Sequence, residues 1–544
     1  MASTDKCFVI AIGGSGMRCL ESFTHMCAMG MFDSKEINIL TLDTDQDNGN
    51  KAKAENLVRL YNRVKSSSNE EGGANRDTFF SAKLKLFRFW TDYTVADRNN
   101  FKNISQKHVD NPEGHNKLLA DLFLDDNVQS FNLGHGYRAQ THLGSYLMYH
   151  AIVEAAINLE SGTNPKKEEQ EFGEFFHQIG QAGEDAKVFV LGSIFGGTGA
   201  SSIPVIPKAL DDAIRIRSGN NAKLSDKAKF GATLLTEYFS FNKPDAAQKK
   251  GDGNQVIADS SFFTLNSQAA LQFYHKDPTV QRTYKKMYHI GWPEGALDFS
   301  KDIDNSKTIT GGKTQKNPCH IAEFLCACAA WDFFNSDKGL DVEKATYLYK
   351  SANEGGPGVL NFEFNDFIGD GDNGKLFARK FGAFVSFMHI ALTKNDGAGA
   401  NNGVKGFLKQ FEEQSIHKYS SLDDQYTKDL NEYMHYFGYK MDSNNFVPGW
   451  LYQIRDSING KFILEDGTYS KDAKQLEGLD IGTLFSEEQY HWEGGRWMGA
   501  TRYDTFVKEL VDPICEAKPD QQCSNLNEKF LAHIYNALKK SQKI

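Results

Sequence analysis

Three places where a strand-like run or loop meets a glycine turn and then a helix constrain what this chain can fold into. Residues 7–12 (Cys-Phe-Val-Ile-Ala-Ile) read as a buried strand and Gly13–Gly16 as a turn. Residues 17–30 read as a helix with Met17, Leu20, Phe23, Met26 and Cys27 at helical spacing. Residues 36–42 form a second strand that ends in Asp43-Thr44-Asp45. Strand, glycine turn, helix, strand is a βαβ unit, and such alternation builds a parallel sheet. Gly134–Gly136 make a second glycine turn ahead of a helix from about Thr141 to Leu159. Lys187–Ser193 is an apolar strand that leads into a third turn, Gly196-Gly197-Thr198-Gly199, and a helix from about Ser201. The fold class expected is α/β.

Each such junction leaves backbone N–H groups unpaired at the positive end of a helix, and glycine lets an anion come close to the backbone. A single turn of this kind also serves simply to connect a strand to a helix. Three on one parallel sheet converge at the carboxyl ends of the strands, where ligands bind in α/β proteins. The first turn alone fits two chemistries. Gly14-Ser15-Gly16 supplies two glycines of a dinucleotide fingerprint, with Cys19 at the third position and Asp43 or Asp45 as a ribose-binding acid, and it equally suits a nucleoside phosphate. Gly311-Gly312-Lys313-Thr314 is not a Walker A loop, since it lacks the earlier glycine and follows no clear strand.

Length and composition set the remaining bounds. At 544 residues the chain calls for two or three domains. Forty Phe and 21 Tyr supply large apolar groups for its cores. No apolar run is long enough for a membrane helix, and the start reads as the first strand and not a signal peptide. The eight cysteines form no C-x-x-C pair. Cys7, Cys19, Cys27, Cys319, Cys326 and Cys328 lie in or beside apolar segments, as reduced buried thiols of a cytoplasmic protein do. A net charge of −10 carries no footprint for nucleic acid.

Further along, 48–110 is polar, with loops and short helices expected around Leu84–Phe87, and 161–186 reads as a charged surface insertion. Residues 230–241 and 286–292 read as strands, 261–274 as a helix and 300–316 as a loop. Residues 318–334 read as a buried helix with Pro318 near its first turn. Residues 380–392 look strand-like and 403–440 largely helical. The tail 525–544 reads as a helix with a basic end, a surface helix or one that mediates assembly. The expected division is 1–265, 266–335 around a core helix, and 336–544 as a second, α+β domain.

The later motifs carry a resemblance. Phe195-Gly196-Gly197-Thr198-Gly199-Ala200-Ser201 resembles the tubulin signature G-G-G-T-G-S-G. Ile12–Cys19 resembles the first phosphate loop of the tubulin and FtsZ superfamily, Leu42-Asp43-Thr44-Asp45 its Asn-Thr-Asp segment, and Leu133–Gln140 its Leu-Gly-Ala-Gly-Ala-Asn-Pro-Glu. The four occur in the family's chain order over roughly residues 7–335, and the departures are closest to those of divergent bacterial tubulin-like proteins. The resemblance implies GTP or GDP with Mg²⁺, held by Gly13, Gly14, Ser15, Gly16, Met17, Asp43, Asp45, Gly134, Gly136, Arg138, Gln140, Gly196, Gly197, Thr198, Gly199 and Ser201, with Asp45 toward the metal and Gln140 toward the ribose. It also implies that Phe262 stacks on the guanine while Asn266, one helical turn on, bonds its edge. By themselves those two also fit a core Phe and a capping Asn.

In this family a neighbouring subunit completes the site with an acidic loop ahead of a buried helix. Asn317-Pro318-Cys319-His320-Ile321-Ala322-Glu323 stands in that place, with Glu323 as the acid that positions water and His320 where another acid is usual. Glu323 also fits an acid in the first turn of a helix. The implied activity is a GTPase that assembles with copies of itself, head to tail, into filaments. A GTP-binding regulator without assembly is the second reading, and a Rossmann-type oxidoreductase the third.

Overall fold

A computed structural model describes residues 6–32, 35–45, 49–68, 77–93, 95–107, 121–162, 164–218, 227–239, 260–291, 319–335, 337–351, 353–356, 359–361, 372–392, 419, 421–440, 446–450, 523 and 525–542. Its centre is a seven-stranded sheet with every pairing parallel. The strands are β1 (Lys6–Ile12), β2 (Glu36–Leu42), β3 (Lys83–Phe89), β4 (Ala186–Leu191), β5 (Lys229–Leu235), β6 (Tyr284–Gly291) and β7 (Thr346–Ser351), in the order 3-2-1-4-5-6-7. This is the α/β, Rossmann-like architecture expected. Along β1, Cys7, Val9 and Ala11 enter one apolar core while Phe8, Ile10 and Ile12 enter the other. A sheet covered on both faces needs such an uninterrupted apolar run.

One face carries α1 (Gly13–Ala28), α2 (Gly49–Ser68) and, after β6, α11 (Ile321–Asn335). The short α3 (Phe101–Lys107) and α4 (Asp126–Ser130) sit beside the other face, which is covered by α5 (Thr141–Ser161), α6 (Lys167–Ala182), α8 (Ile206–Ser218), α9 (Phe263–Lys276) and α10 (Pro278–Thr283). The one-turn α7 (Thr198–Ser202) leads into α8. A second helical layer, α12 (Asp372–Leu392), α13 (Asp424–Phe437) and α14 (Leu526–Gln542), packs outside α1, α2 and α11. Two small antiparallel strand pairs are also described, β8 (Asn353–Gly356) with β9 (Val359–Asn361) and β10 (Gly438–Lys440) with β11 (Phe446–Pro448).

Between the two layers α11 is apolar apart from Glu323, Asp332 and its terminal Asn335, as a helix buried nearly all round must be. Its residues from Ile321 to Trp331 are all buried. The Phe324 ring stacks 4.0 Å from Trp450 and lies 5.5 Å from Phe377.

Several sequence expectations are corrected. The expected division falls at residue 336. β7 extends the first sheet beyond it, and Phe377, Phe381, Phe384, Tyr433, Phe437 and Tyr535 belong to the same apolar cluster as α1 and α11. Residues 380–392 are helical, not strand-like, because Phe377, Phe381, Phe384, Val385 and Met388 share a helix face buried on that cluster. The stretch 48–110 holds the long helix α2 and strand β3. The supposed insertion 161–186 is mostly α6, whose Phe172, Phe175, Phe176 and Ile179 are fully buried over the sheet. The tail helix α14 is no surface helix, for Phe530, Leu531, Ile534, Tyr535 and Leu538 lie in the core. The Gly311–Thr314 motif, Asn317, Pro318 and the loop 300–316 lie outside the described residues. Among the described residues no helix is long and apolar enough to cross a membrane.

Candidate functional site

The strand order reverses between β1 and β4, and the chain leaves these neighbouring strands in opposite directions along the sheet. In open α/β sheets ligands bind at such a switch point, in the crevice outside the carboxyl ends of the strands. The first and third glycine turns lie there, one after β1 and the other after β4. A Cβ placed on Gly13 would lie 3.2 Å from the Thr198 Cβ, so the two turns touch. One on Gly197 would lie 2.8 Å from the Ala139 nitrogen, and one on Gly136 would lie 3.6 Å from the Asp45 Cβ. The four segments singled out in the sequence thus meet at one place. Gly13 and Gly136 take φ of +66° and +79°, which favour glycine.

The helices that start at this edge carry no side-chain cap. α1, α5 and α7 begin at Ile12, Gln140 and Gly197, and none of these supplies a side-chain cap. The loop before α5 is strained, since Arg138 and Ala139 hold φ of +46° and +63° without being glycine. Each such residue costs about 1–2 kcal/mol, and strain of this kind gathers at functional sites. The Arg138 guanidinium stands 6.0 Å from the Phe131 ring.

Asp43 is buried, and its Oδ1 accepts from the backbone N–H groups of Thr44 (2.8 Å) and Asp45 (3.3 Å). It therefore shapes the turn that carries Asp45, which is itself partly exposed at the crevice. Among the described residues no group of three His, Cys, Asp or Glu could enclose a metal. One carboxylate is nevertheless enough for Mg²⁺ when phosphate oxygens and water complete its octahedron. Asp45 fits that use.

Phe262 stands at the start of α9 with its side chain 56% exposed. Asn266 donates from Nδ2 to the Phe195 carbonyl at 3.3 Å, which ties α9 to the third glycine turn. The adjacent Phe263 ring packs 4.9 Å from Phe195. An exposed aromatic ring and a partly buried amide are thereby held together beside the turn. Not every expected residue faces the crevice with its side chain. Met17 is fully buried. Ser201 is buried too and donates its hydroxyl to the Thr198 carbonyl at 3.0 Å. The Ser201 backbone N–H is bonded too, to the Gly197 carbonyl at 3.1 Å.

The structure places Glu323 and His320 away from the crevice, in the interior. Both are 0% exposed. Glu323 is ion-paired with Arg18, accepts the Tyr238 hydroxyl at 2.7 Å and accepts the His320 backbone N–H at 2.8 Å. Burial raises the Glu323 pKa, and Arg18 offsets part of that rise. For Arg18 burial acts to lower the pKa, but the Glu323 charge prevails and the guanidinium stays firmly protonated. Burial pushes the His320 pKa well down, with Arg18 adding to it, so the ring is neutral. Nearby, Lys53 pairs with the buried Glu21 at 2.8 Å.

Sequence reasoning missed four residues of this region. Tyr137 is buried behind the crevice among Tyr93, Thr44 and Asp43, and burial raises its pKa so that it stays a hydroxyl. Lys51 opens α2 with its ammonium 5.9 Å from the Trp90 ring. Burial lowers its pKa, while Glu55 and Asp43 pull the other way. Arg18 and Tyr238 were missed as well. Arg18 alone left a signal, being a charge inside an apolar helix. No protein-family model, curated protein or solved structure matches the chain.

Proposed function

We propose that the chain binds a guanine nucleotide with Mg²⁺ at the carboxyl edge of its sheet. The observation that carries this reading is the meeting of Gly13 with Thr198, Gly197 with Ala139 and Gly136 with Asp45 around one crevice. Backbone N–H groups there face the phosphates, and Asp45 and Lys51 address the metal and the terminal charge. Phe262 stacks on the base. Asn266 keeps one N–H and its carbonyl oxygen for the base edge, which matches the N1–H and O6 of guanine.

The resemblance to tubulin and FtsZ extends this to subunits stacked head to tail, with hydrolysis at their interface. A second reading, a GTP-binding switch with little or no turnover, is favoured by one observation: Glu323 is 0% exposed and bonded within its own chain. GTP binding and hydrolysis measured against protein concentration, with light scattering in parallel, separate the two. Turnover that rises sharply above a threshold concentration supports the filament. Tight binding without turnover supports the switch, and no nucleotide binding at all removes both.

A further inference from the structure

Glu323 is bonded on both oxygens, and its three donors come from three parts of the frame around the crevice. Arg18 lies two residues beyond Gly16, in the first turns of α1. Tyr238 follows β5, and its ring packs 6.1 Å from Phe195, the residue that opens the third glycine turn and receives Asn266. The His320 N–H belongs to the segment that enters α11. Arg18 is 6% exposed, Tyr238 3% and Glu323 0%. To serve a neighbouring subunit, Glu323 would have to leave all three partners and strand the Arg18 charge in the interior, which is strongly unfavourable.

We infer that Glu323 is a positioning residue: through Arg18 and Tyr238 it holds the first and third glycine turns in the geometry that receives the nucleotide. It does not touch the reacting atoms. The inference rests on the nucleotide-binding reading. Buried ion pairs add little to stability over a well-packed apolar pair, and in some proteins they instead fix one arrangement of the elements that carry them. Here those elements are α1, the exit of β5 and α11. The Lys53–Glu21 pair continues the network to α2, with the Cys319 thiol 3.7 Å from Glu21.

The test is calorimetric titration with Mg²⁺ and GTP, alongside single-turnover hydrolysis, on the full chain. Wild type is compared with Glu323→Gln, with Tyr238→Phe and with the double variant Arg18→Met, Glu323→Leu. The double variant leaves no charge buried alone and strands only the Tyr238 hydroxyl and the His320 N–H, so a thermal melt beside the titration separates folding from positioning. The expected results are a Kd raised about tenfold in Glu323→Gln and raised similarly in the double variant, whose melting temperature falls by only a few degrees so that it stays folded at the titration temperature. Tyr238→Phe is expected to raise Kd about threefold. Saturating turnover, where present, should change far less than Kd. Wild-type Kd with a collapsed turnover in Glu323→Gln would overturn the inference and make Glu323 a water-activating acid. If Glu323→Gln does not fold, wild-type Kd in both Tyr238→Phe and the double variant overturns it equally. Absence of binding by the wild type would remove the nucleotide reading itself, and the inference with it.

Discussion

Gly16 sits so close to Leu191 that a Cβ on it would lie 2.5 Å from the Leu191 carbonyl oxygen and 3.3 Å from the Ala11 carbonyl carbon. The start of α1 is thus laid directly on the ends of β1 and β4. Both obstacles are backbone and cannot rotate away. Gly16→Ala should therefore destabilise the protein by about 3 kcal/mol, at the upper end of overpacking costs. Any folded remainder should bind nucleotide weakly, since the first turn would be displaced. Urea unfolding and GTP titration measure the two effects. A variant with wild-type stability would show that α1 shifts freely, contrary to this packing.

On the proposed reading Asp45 meets the metal, while Asp43 holds the turn that carries Asp45. Their substitutions should fail differently. Asp45→Asn should leave the unfolding free energy within about 0.5 kcal/mol, as for a surface change, yet remove most of the dependence of GTP affinity on Mg²⁺. Asp43→Ala deletes the acceptor for two backbone N–H groups and should cost about 1–3 kcal/mol of stability. GTP titrations with Mg²⁺ and with EDTA, beside thermal melts, distinguish the roles. Equal loss of stability in both variants would count against a metal site at Asp45.

Stability should fall on acidification, beginning with His25. This ring is buried, with the Tyr433 hydroxyl 3.1 Å from Nδ1, and burial, aided by the Lys53 charge, holds its pKa down at about 3. In the unfolded chain His titrates near 6.5. Between these values the unfolded state takes up a proton that the native state refuses. Stability therefore drops as pH falls through that window, by up to about 1.4 kcal/mol per pH unit for this one group. Below about pH 4 Asp77 adds to the loss. Its own desolvation would raise its pKa, but Lys380, Lys539 and Tyr535 outweigh that and hold it below the usual carboxylate range. The native state thus keeps Asp77 ionised while the unfolded chain protonates it. Urea unfolding at stepwise pH checks the slope, and His25→Asn should lessen it between pH 6.5 and 4.5, where the buried His320 supplies a further part. An unchanged slope in that variant would exclude His25 as the source.

The sheet was legible because its strands alternate between two apolar cores, so that runs such as 7–12 and 187–193 show themselves without interruption. The glycine turns were legible because only glycine fits where Gly16 meets Leu191 and Gly199 meets Ser193. What could not be read were the partnerships across the chain. Nothing near Glu323 in the sequence announces Arg18, 305 residues away, and without that pair Glu323 reads as an acid at a helix start. Residues 380–392 were misread because a dense aromatic run fits a strand as well as a buried helix. Only the four-residue spacing of Phe377 and Phe381, with Phe384 three residues on, argues for the helix. The polar residues of α6 hid an apolar face whose target, the far side of β1 to β3, is invisible from its own segment.

The tail helix offers a sharp final test, because its composition and its position disagree. Its polar residues suggest a solvent-exposed helix, on which an apolar truncation would change stability by less than about 0.5 kcal/mol. In the structure Ile534 is 1% exposed and Tyr535 is 0% exposed. The Tyr535 ring packs 4.8 Å from Phe79, while its hydroxyl and the Lys539 ammonium bond Asp77. The helix thereby ties the chain's end to the segment just ahead of β3. Ile534→Ala should remove a buried side chain and leave a cavity, costing about 3 kcal/mol by urea unfolding. A stability loss under about 0.5 kcal/mol would show that the helix does not dock on this core. A loss near the expected size, with the m-value unchanged, would mean that α14 unfolds together with the sheet and its glycine turns.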